Sequence, residues 1–294
     1  MTLNPWRLRL LLDLSTYGTV RAVAQRGNHS PSAVSQQLAT LERETGTALL
    51  ERNGRRVRLT AAGVLLAGRA REILAAMDAA EASLRGLAEE PAGTVTLGAF
   101  QSALPALAEP AVTVLAARHP DVTVVLLELE PHQSMPALRR GDVDVIITTT
   151  DFAGAELDPA IDLVPLAEDE IVLLLPEGHP LAVAERVAIG ACADQRWTFD
   201  VAGSYMSELA TRLCREAGFE PSVIARFNNY MLTLRHVEAG RSIALLPSLA
   251  VDPRYPVVTR PLSPAVTRRI IAAARRPSTP RPEITAVLAA LRDR

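Results

Sequence analysis

Apolar side chains recur at helical spacing through the first ninety residues, and that pattern predicts four helices and a hairpin. Trp6, Leu10, Leu14 and Tyr17 form one stripe, opened by Pro5 and closed by Gly18. Thr19 to Arg26 predicts a second, short helix with Val20, Val23 and Ala24 inward, ended by the turn Gly27-Asn28-His29. A third helix begins near residue 31, with Ser30 as its cap and Pro31 in its first turn, where a missing N–H costs nothing. Val34, Leu38 and Leu41 make its inner face. On the other side stand Ser32, Ser35, Gln36 and Thr40, uncharged groups that both donate and accept hydrogen bonds. Asn53-Gly54, a strong hairpin signal, then separates two short strands, Leu49 to Arg52 and Val57 to Thr60.

Taken alone, the third helix reads as a half-buried surface helix or as one that reads base edges. Its neighbours favour the second. Two helices joined by a tight glycine-containing turn, the second with a small polar outer face, form a helix-turn-helix whose second helix enters a major groove. The hairpin is then a wing. Arg52, Arg55, Arg56 and Arg58 crowd its tip, which suits phosphate or minor-groove contact, although the same cluster also reads as an ordinary solvated patch. From Ala61 the residues Leu66, Ala70, Ile73, Met77, Ala80, Leu84 and Leu87 repeat at alternating steps of four and three, a heptad seam. So narrow a stripe on so long a helix predicts pairing with a second helix. Packing on its own domain is the alternative, because part of the seam is small or flexible.

Glu89-Glu90-Pro91-Ala92-Gly93 breaks the pattern and marks a boundary. Beyond it, the strand-like runs TVTLGAF, VTVVLLELE, VDVIITT, IVLLLP, IALLP and VTRRIIAAA alternate with helical stretches at 104–118, 132–140, 203–217 and 230–239. Alternation of this kind predicts α/β architecture with largely parallel sheets. A break near Leu166 and a return near Thr267 divide it into two lobes sharing a cleft at the carboxyl ends of strands.

Charge sharpens the division. Residues 1–60 hold nine arginines against four acids, a net of +5, so a chain of overall charge −2 carries −7 in the remainder. A basic amino-terminal module on an acidic body fits a nucleic-acid-binding unit joined to something else. Every one of the 31 basic residues is arginine, which removes Schiff-base lysines and lysine-dependent phosphate loops. Cys192 and Cys214 lie in no CxxC or Cys/His cluster, so they read as structural thiols; no metal and no cofactor is expected. No apolar run reaches membrane-spanning length and the first residues lack a secretory cleavage pattern, so the expectation is a cytoplasmic protein with no membrane partner.

The stretch GTVRAVAQRGNHSPSAVSQQLATLERETGTALLERNGRRVRLTAAG, Gly18 to Gly63, resembles the amino-terminal signature of the LysR-type transcriptional regulators, and GDVDVIITT, EGHPL and EAGRSIALLP resemble landmarks of the family's later part. The resemblance implies a mainly α winged helix-turn-helix over 1–60, a linker and dimerisation helix over 61–90, and a two-lobed α/β effector domain over 91–294 resembling periplasmic binding proteins. Lobe I is expected over about 91–165 and 266–294, and lobe II over about 166–265. Position by position, Ser30, Pro31, Ser32, Ser35 and Gln36 match the family's groove-facing segment, joined by Thr40 from the helix pattern. Arg52 and Arg55 match its wing, with Arg56 beside them. Gly27 and His29 depart from the apolar or aromatic residues usual there; His29 is expected as a partly buried packing residue.

The same resemblance implies double-stranded DNA, a small-molecule effector, RNA polymerase and a second copy of the chain, as homodimer or homotetramer, for partners. Leu66, Ile73, Met77, Leu84 and Leu87 are the expected dimerisation residues. Candidate cleft groups are Phe100, Gln101 and Ser102 after the first strand, Thr148 and Thr149 after the third, Ser204 and Tyr205 at one helix start, and Asn228 and Asn229 before the next; each also suits a helix cap. Helix amino termini facing the cleft would favour an anionic effector. An enzyme is the competing class, but the chain has no GxSxG elbow, HExxH helix or phosphate loop. A solute-binding transport protein would need export, and would have no use for a DNA-binding module.

Overall fold

The computed structural model describes residues 3–27, 29–53, 56–85, 91–153, 160–276 and 281–293. These form two compact units, one built on residues 1–93 and one on 94–139, 143–278 and 282–294. In the first, helices α1 (Pro5–Tyr17), α2 (Val20–Arg26) and α3 (Pro31–Thr45) precede the hairpin of β1 (Leu50–Asn53) and β2 (Arg56–Leu59), which is followed by α4 (Ala61–Arg85). Side-chain caps set the helix starts. Asn4 accepts from the Trp6 and Arg7 N–H groups, Thr19 from Ala22, and Ser30 from Ala33 at 3.1 Å. Gly18 and Gly46 close α1 and α3 in the left-handed conformation.

The core of this unit joins Leu8, Leu11 and Leu14 of α1, Val23 and Ala24 of α2, and Val34, Leu38 and Leu41 of α3 to Ala67, Ala70 and Leu74 of α4. Each fully buried leucine contributes ~1.5–3 kcal/mol. The α1 stripe differs from the sequence expectation: Trp6 and Tyr17 are 43% and 38% exposed, and the helix packs through Leu8 and Leu11 as well as Leu10 and Leu14. The α4 seam is also divided. Ala70 is buried against the unit's own core and Leu66 packs on it, whereas Leu65, Ile73 and Met77 are 66%, 37% and 41% exposed. Leu84 lies in the last turn of α4, and Leu87 lies outside the described residues. Gly63 is where α4 meets the wing: a Cβ there would lie 2.1 Å from the Leu49 carbonyl oxygen.

In the second unit come β3 (Gly93–Ala99), a π turn at Leu104–Ala108, α5 (Glu109–Arg118), β4 (Val122–Glu128), α6 (Pro131–Arg140), β5 (Val145–Thr149), α7 (Thr150–Ala153) and β6 (Ile161–Pro176). After these follow β7 (Arg196–Phe199), α8 (Tyr205–Glu216), β8 (Ser222–Arg226), α9 (Tyr230–Glu238), β9 (Ala244–Pro247), β10 (Val257–Pro261), β11 (Thr267–Arg275) and α10 (Pro282–Arg292). The expectation of largely parallel sheets is overturned. The β3–β5 and β7–β8 pairs are parallel, as are the single bridges Trp197–Ile243 and Val187–Leu262, while β11 runs antiparallel to both β5 and β6, and β6 runs antiparallel to β9 and β10. The physical reason is that the chain crosses between lobes on extended strands rather than through βαβ crossovers.

β6 makes that crossing. Ile161 to Glu170 pair with β11, and Ile171 to Pro176 pair with β9 and β10. Leu166, where the sequence suggests a break, is a bulge opposite Ile270/Ile271; the change of partner falls further on, between Glu170 and Ile171. One core gathers Val95, Leu97, Leu115, Val145, Ile147, Ile270 and Leu291, and another gathers Ile171, Leu173, Trp197, Phe199, Leu209, Cys214 and Ile243.

Candidate DNA-reading surface and effector cleft

On α3, the buried Val34, Leu38 and Leu41 fix the opposite face outward, and Pro31, Ser32, Ser35 and Gln36 are exposed on it. Two neighbouring glutamines are told apart. Gln37 accepts from Arg7 Nε at 2.9 Å, and Arg7 also pairs with Glu44, so Gln37 ties α3 to α1 while Gln36 points away. Ser30 and Ser32 hydroxyls meet at 3.0 Å beside the cap. Thr40 is less available: its hydroxyl donates to the Gln36 carbonyl at 2.9 Å and accepts from Arg43 at 2.8 Å. The Glu42 carboxylate accepts the Leu49 and Leu50 N–H groups at 2.8 and 3.0 Å, anchoring the wing to α3. Arg52 lies in β1 and Arg56 in β2, while Arg55 lies with Gly54 outside the described residues.

The two departures in the turn explain each other. His29 is exposed rather than partly buried, and its ring stands edge-on to Trp6 at 5.6 Å. A Cβ on residue 27 would come within 2.8 Å of His29 Cδ2, so Gly27 makes room for that ring.

Within the second unit, the candidate cleft residues divide by what they touch. Phe100 and Ser102 meet a group not singled out from the sequence, Arg268. Its guanidinium is 2% exposed, donates to Asp169 Oδ2 through Nε and Nη2 at 3.0 and 2.7 Å, and gives a third bond of 2.7 Å to the Ser102 hydroxyl. Its carbon lies 4.6 Å from the centre of the Phe100 ring and 5.9 Å from that of Tyr205. Asp169 Oδ1 accepts the Ser248 hydroxyl at 2.7 Å and the Leu249 N–H at 3.1 Å. The signal was present in the strand alternation: Arg268 shares parity with the inward Ile270 and Ala272, and Asp169 with Ile171 and Leu173. An inward charge requires a partner.

Among the described residues, hydrogen bonds join the halves of the cleft. Gln101 Nε2 donates to the Asn228 carbonyl at 2.7 Å, the Tyr205 N–H donates to Glu130 Oε2 at 3.1 Å, and the Tyr205 hydroxyl donates to Asp151 Oδ2 at 3.2 Å. The helix α8 start that would suit an anion thus already holds the chain's own carboxylate. Ser204 and Asn229 cap α8 and α9, accepting from Ser207 and Met231 N–H groups. Thr148 turns toward α6, where its hydroxyl meets that of Ser134 at 2.9 Å. Thr149 is fully buried, and its Oγ1 has no partner among the described residues; neither has Gln101 Oε1.

Burial raises the Asp200 carboxyl above its ordinary value, and the charges of Glu130 and Glu128 push the same way against hydrogen bonds from Val201 and Ser204. Tyr205 is pushed up to about 12 by burial and by Asp151. Tyr230 is raised by burial and then by Asp200. Burial also lifts the Cys192 and Cys214 thiols to about 11 and about 12.

A winged helix-turn-helix whose α3 turns an uncharged polar face outward, in one chain with a two-lobed α/β unit, is the architecture of a DNA-binding transcriptional regulator with an effector domain. Residues 6–64 match the profile of bacterial regulatory helix-turn-helix proteins of the lysR family, and residues 88–294 match the LysR substrate binding domain. The chain belongs to the LysR family of transcriptional regulators. It is 30% identical over 276 residues to the hydrogen peroxide-inducible genes activator of Escherichia coli O6:H1, covering 93% of this chain and 89% of that one. Among solved structures, it shares its fold with full-length OxyR from Pseudomonas aeruginosa, at 23% identity and a TM-score of 0.72 over 99% of this chain and 98% of the other. Full-length CbnR in complex with its target DNA has a TM-score of 0.66 at 19% identity, with 99% of each chain covered. Among the described residues, no helix is long and apolar enough to cross a membrane.

Proposed function

We propose that this chain is a cytoplasmic, homodimeric or homotetrameric regulator that acts without catalysis and engages RNA polymerase at the promoters it controls. Its α3 reads a major groove through Ser30, Pro31, Ser32, Ser35 and Gln36, with Thr40 at the edge of that surface. Arg52, Arg55 and Arg56 of the wing hold phosphates. The observation that carries this reading is the division of α3: an apolar stripe packed inward and an exposed face of hydroxyls and one amide, with Gln37 withdrawn to Arg7. The exposed Leu65, Ile73 and Met77 of α4 supply the surface for a second copy. Residues 61–90 link the DNA-binding domain to an effector domain over 91–294, whose lobes place Phe100, Gln101, Ser102, Thr149, Tyr205 and Asn228 at the effector. Thr148, Ser204 and Asn229 hold the surrounding elements.

The effector binds reversibly rather than by thiol chemistry. The relative named above is a peroxide-inducible activator, but peroxide reacts with exposed thiolates, and both cysteines of this chain are buried with thiols raised far above neutrality. A footprint of the purified protein on DNA upstream of its own gene tests the whole reading. Two spaced half-sites, protection that weakens steeply with salt, and no change on adding hydrogen peroxide are expected. Gln36→Ala is expected to relax sequence preference, and Arg56→Ala to weaken binding evenly and lower the salt slope by about 1. Unchanged selectivity in Gln36→Ala refutes the groove assignment.

A further inference from the structure

The cleft is acidic once its internal pairing is counted. Arg268 is matched by Asp169, whereas Glu130, Asp151 and Asp200 have no ion pair among the described residues. The nearby Arg226 spends Nη1 on the Asp200 carbonyl oxygen at 3.1 Å and on the Ser207 hydroxyl at 3.0 Å. Two buried acceptors add to the acids. Ala99 and Ile147 pair in the parallel ladder of β3 and β5, so Gln101, two residues past the end of β3, and Thr149, the last residue of β5, lie at the same edge of the sheet. Gln101 Nε2 must face the Asn228 carbonyl, which leaves its Oε1 as an acceptor without a donor among the described residues; Thr149 Oγ1, in a fully buried residue, is likewise without a partner among them.

We propose that the effector of this chain is a small organic cation, an amine in its ammonium form, held in the cleft by Asp200 and Glu130 with Gln101 Oε1 and Thr149 Oγ1 accepting from its N–H groups. This rests on the reading of the cleft as the effector site. An ammonium brings three donors and no acceptor, which complements a site whose unmet groups are oxygens. A carboxylate would meet the opposite: the Tyr205 N–H that could receive it is occupied by Glu130, and Asp200 stands close by. Burial first, and then the charge of Glu130, raise the Asp200 carboxyl, and an ammonium bound beside it supplies a counter-charge that favours its ionised form.

The test uses the full chain and a small-molecule extract of its source cells, split by ion exchange at pH 7 into cation-retained, anion-retained and unretained fractions. Thermal unfolding is followed without DNA. The cation-retained fraction is expected to raise Tm, by about 5–10 °C where the active compound reaches a hundred times its Kd. Asp200→Asn is expected to weaken that response roughly thirtyfold in concentration, and Thr149→Val to weaken it as well while keeping shape. A rise with the anion-retained or unretained fraction alone overturns the cation and leaves the cleft as effector site. An equal rise in wild type and both variants overturns the proposed contacts, since the cation then binds elsewhere. No rise with any fraction, in a protein that still protects its DNA, overturns the cation and the effector reading together.

Discussion

Replacing Arg268 with methionine keeps an unbranched stem, shortens the side chain and removes its charge from a site where the guanidinium is 2% and the Asp169 carboxylate 0% exposed. What remains is a buried carboxylate without its counter-charge. Breaking such a pair from one side costs about 3–5 kcal/mol. Asp169 keeps two donors, the Ser248 hydroxyl and the Leu249 N–H, which sets the expected loss at the lower end, about 3 kcal/mol. For a unit of this size, that corresponds to a Tm lower by about 6–12 °C, read by calorimetry. The second variant separates charge from shape. Asp169→Asn retains an acceptor for both donors while removing the orphaned charge, so Arg268→Met with Asp169→Asn is expected to regain about 2 kcal/mol over Arg268→Met alone. A single variant that melts within about 2 °C of wild type, or a double variant no more stable than the single, refutes the view that this pair holds the two crossing strands.

Gly63→Ala is expected to destabilise the winged unit and abolish the footprint, because the new Cβ meets the Leu49 carbonyl oxygen at 2.1 Å; an unchanged circular dichroism melt counts against it. Ile73→Glu places a charge on the exposed side of α4 and is expected to shift sedimentation toward smaller species without lowering helix content. Asp200→Asn tests the sign of the raised carboxyl. Since the folded form holds the proton more tightly than the unfolded one, ionised Asp200 costs stability as pH rises from about 3.8 through its folded value. The variant is therefore expected to be more stable than wild type at pH 7, with the advantage fading toward pH 3; a constant difference in urea midpoint across that range contradicts the electrostatic cause.

The winged unit was largely legible because its signals are local. Val34, Leu38 and Leu41 define a face by spacing alone, and Ser30 and Pro31 open the helix by backbone chemistry. The α4 seam was legible only in part: a heptad repeat shows which residues share a face but not which of two partners covers it, and here the unit's own core takes Ala70. Strand direction in the second unit was not local at all. A β-α-β rhythm reads the same whether the chain returns to one sheet or crosses to another, so antiparallel β6 and β11 were missed. The cleft shows the same limit. Residues after strand ends were findable, and Phe100, Gln101, Ser102 and Tyr205 do gather there with Asn228. Asp169 and Arg268 lie 99 positions apart in the chain and make sense only as a pair.

β6 spans Ile161 to Pro176 without interruption and is hydrogen-bonded into both lobes, to β11 along its first part and to β9 and β10 along its last. The lobes are therefore two ends of one beam rather than beads on a string. No cut in the 161–176 stretch frees an intact lobe, because either fragment would carry away half of a strand that the other needs. A recombinant exchange that aims to give this regulator a different specificity has its workable seams outside the beam, and must move β6 and β11 as a single inherited piece.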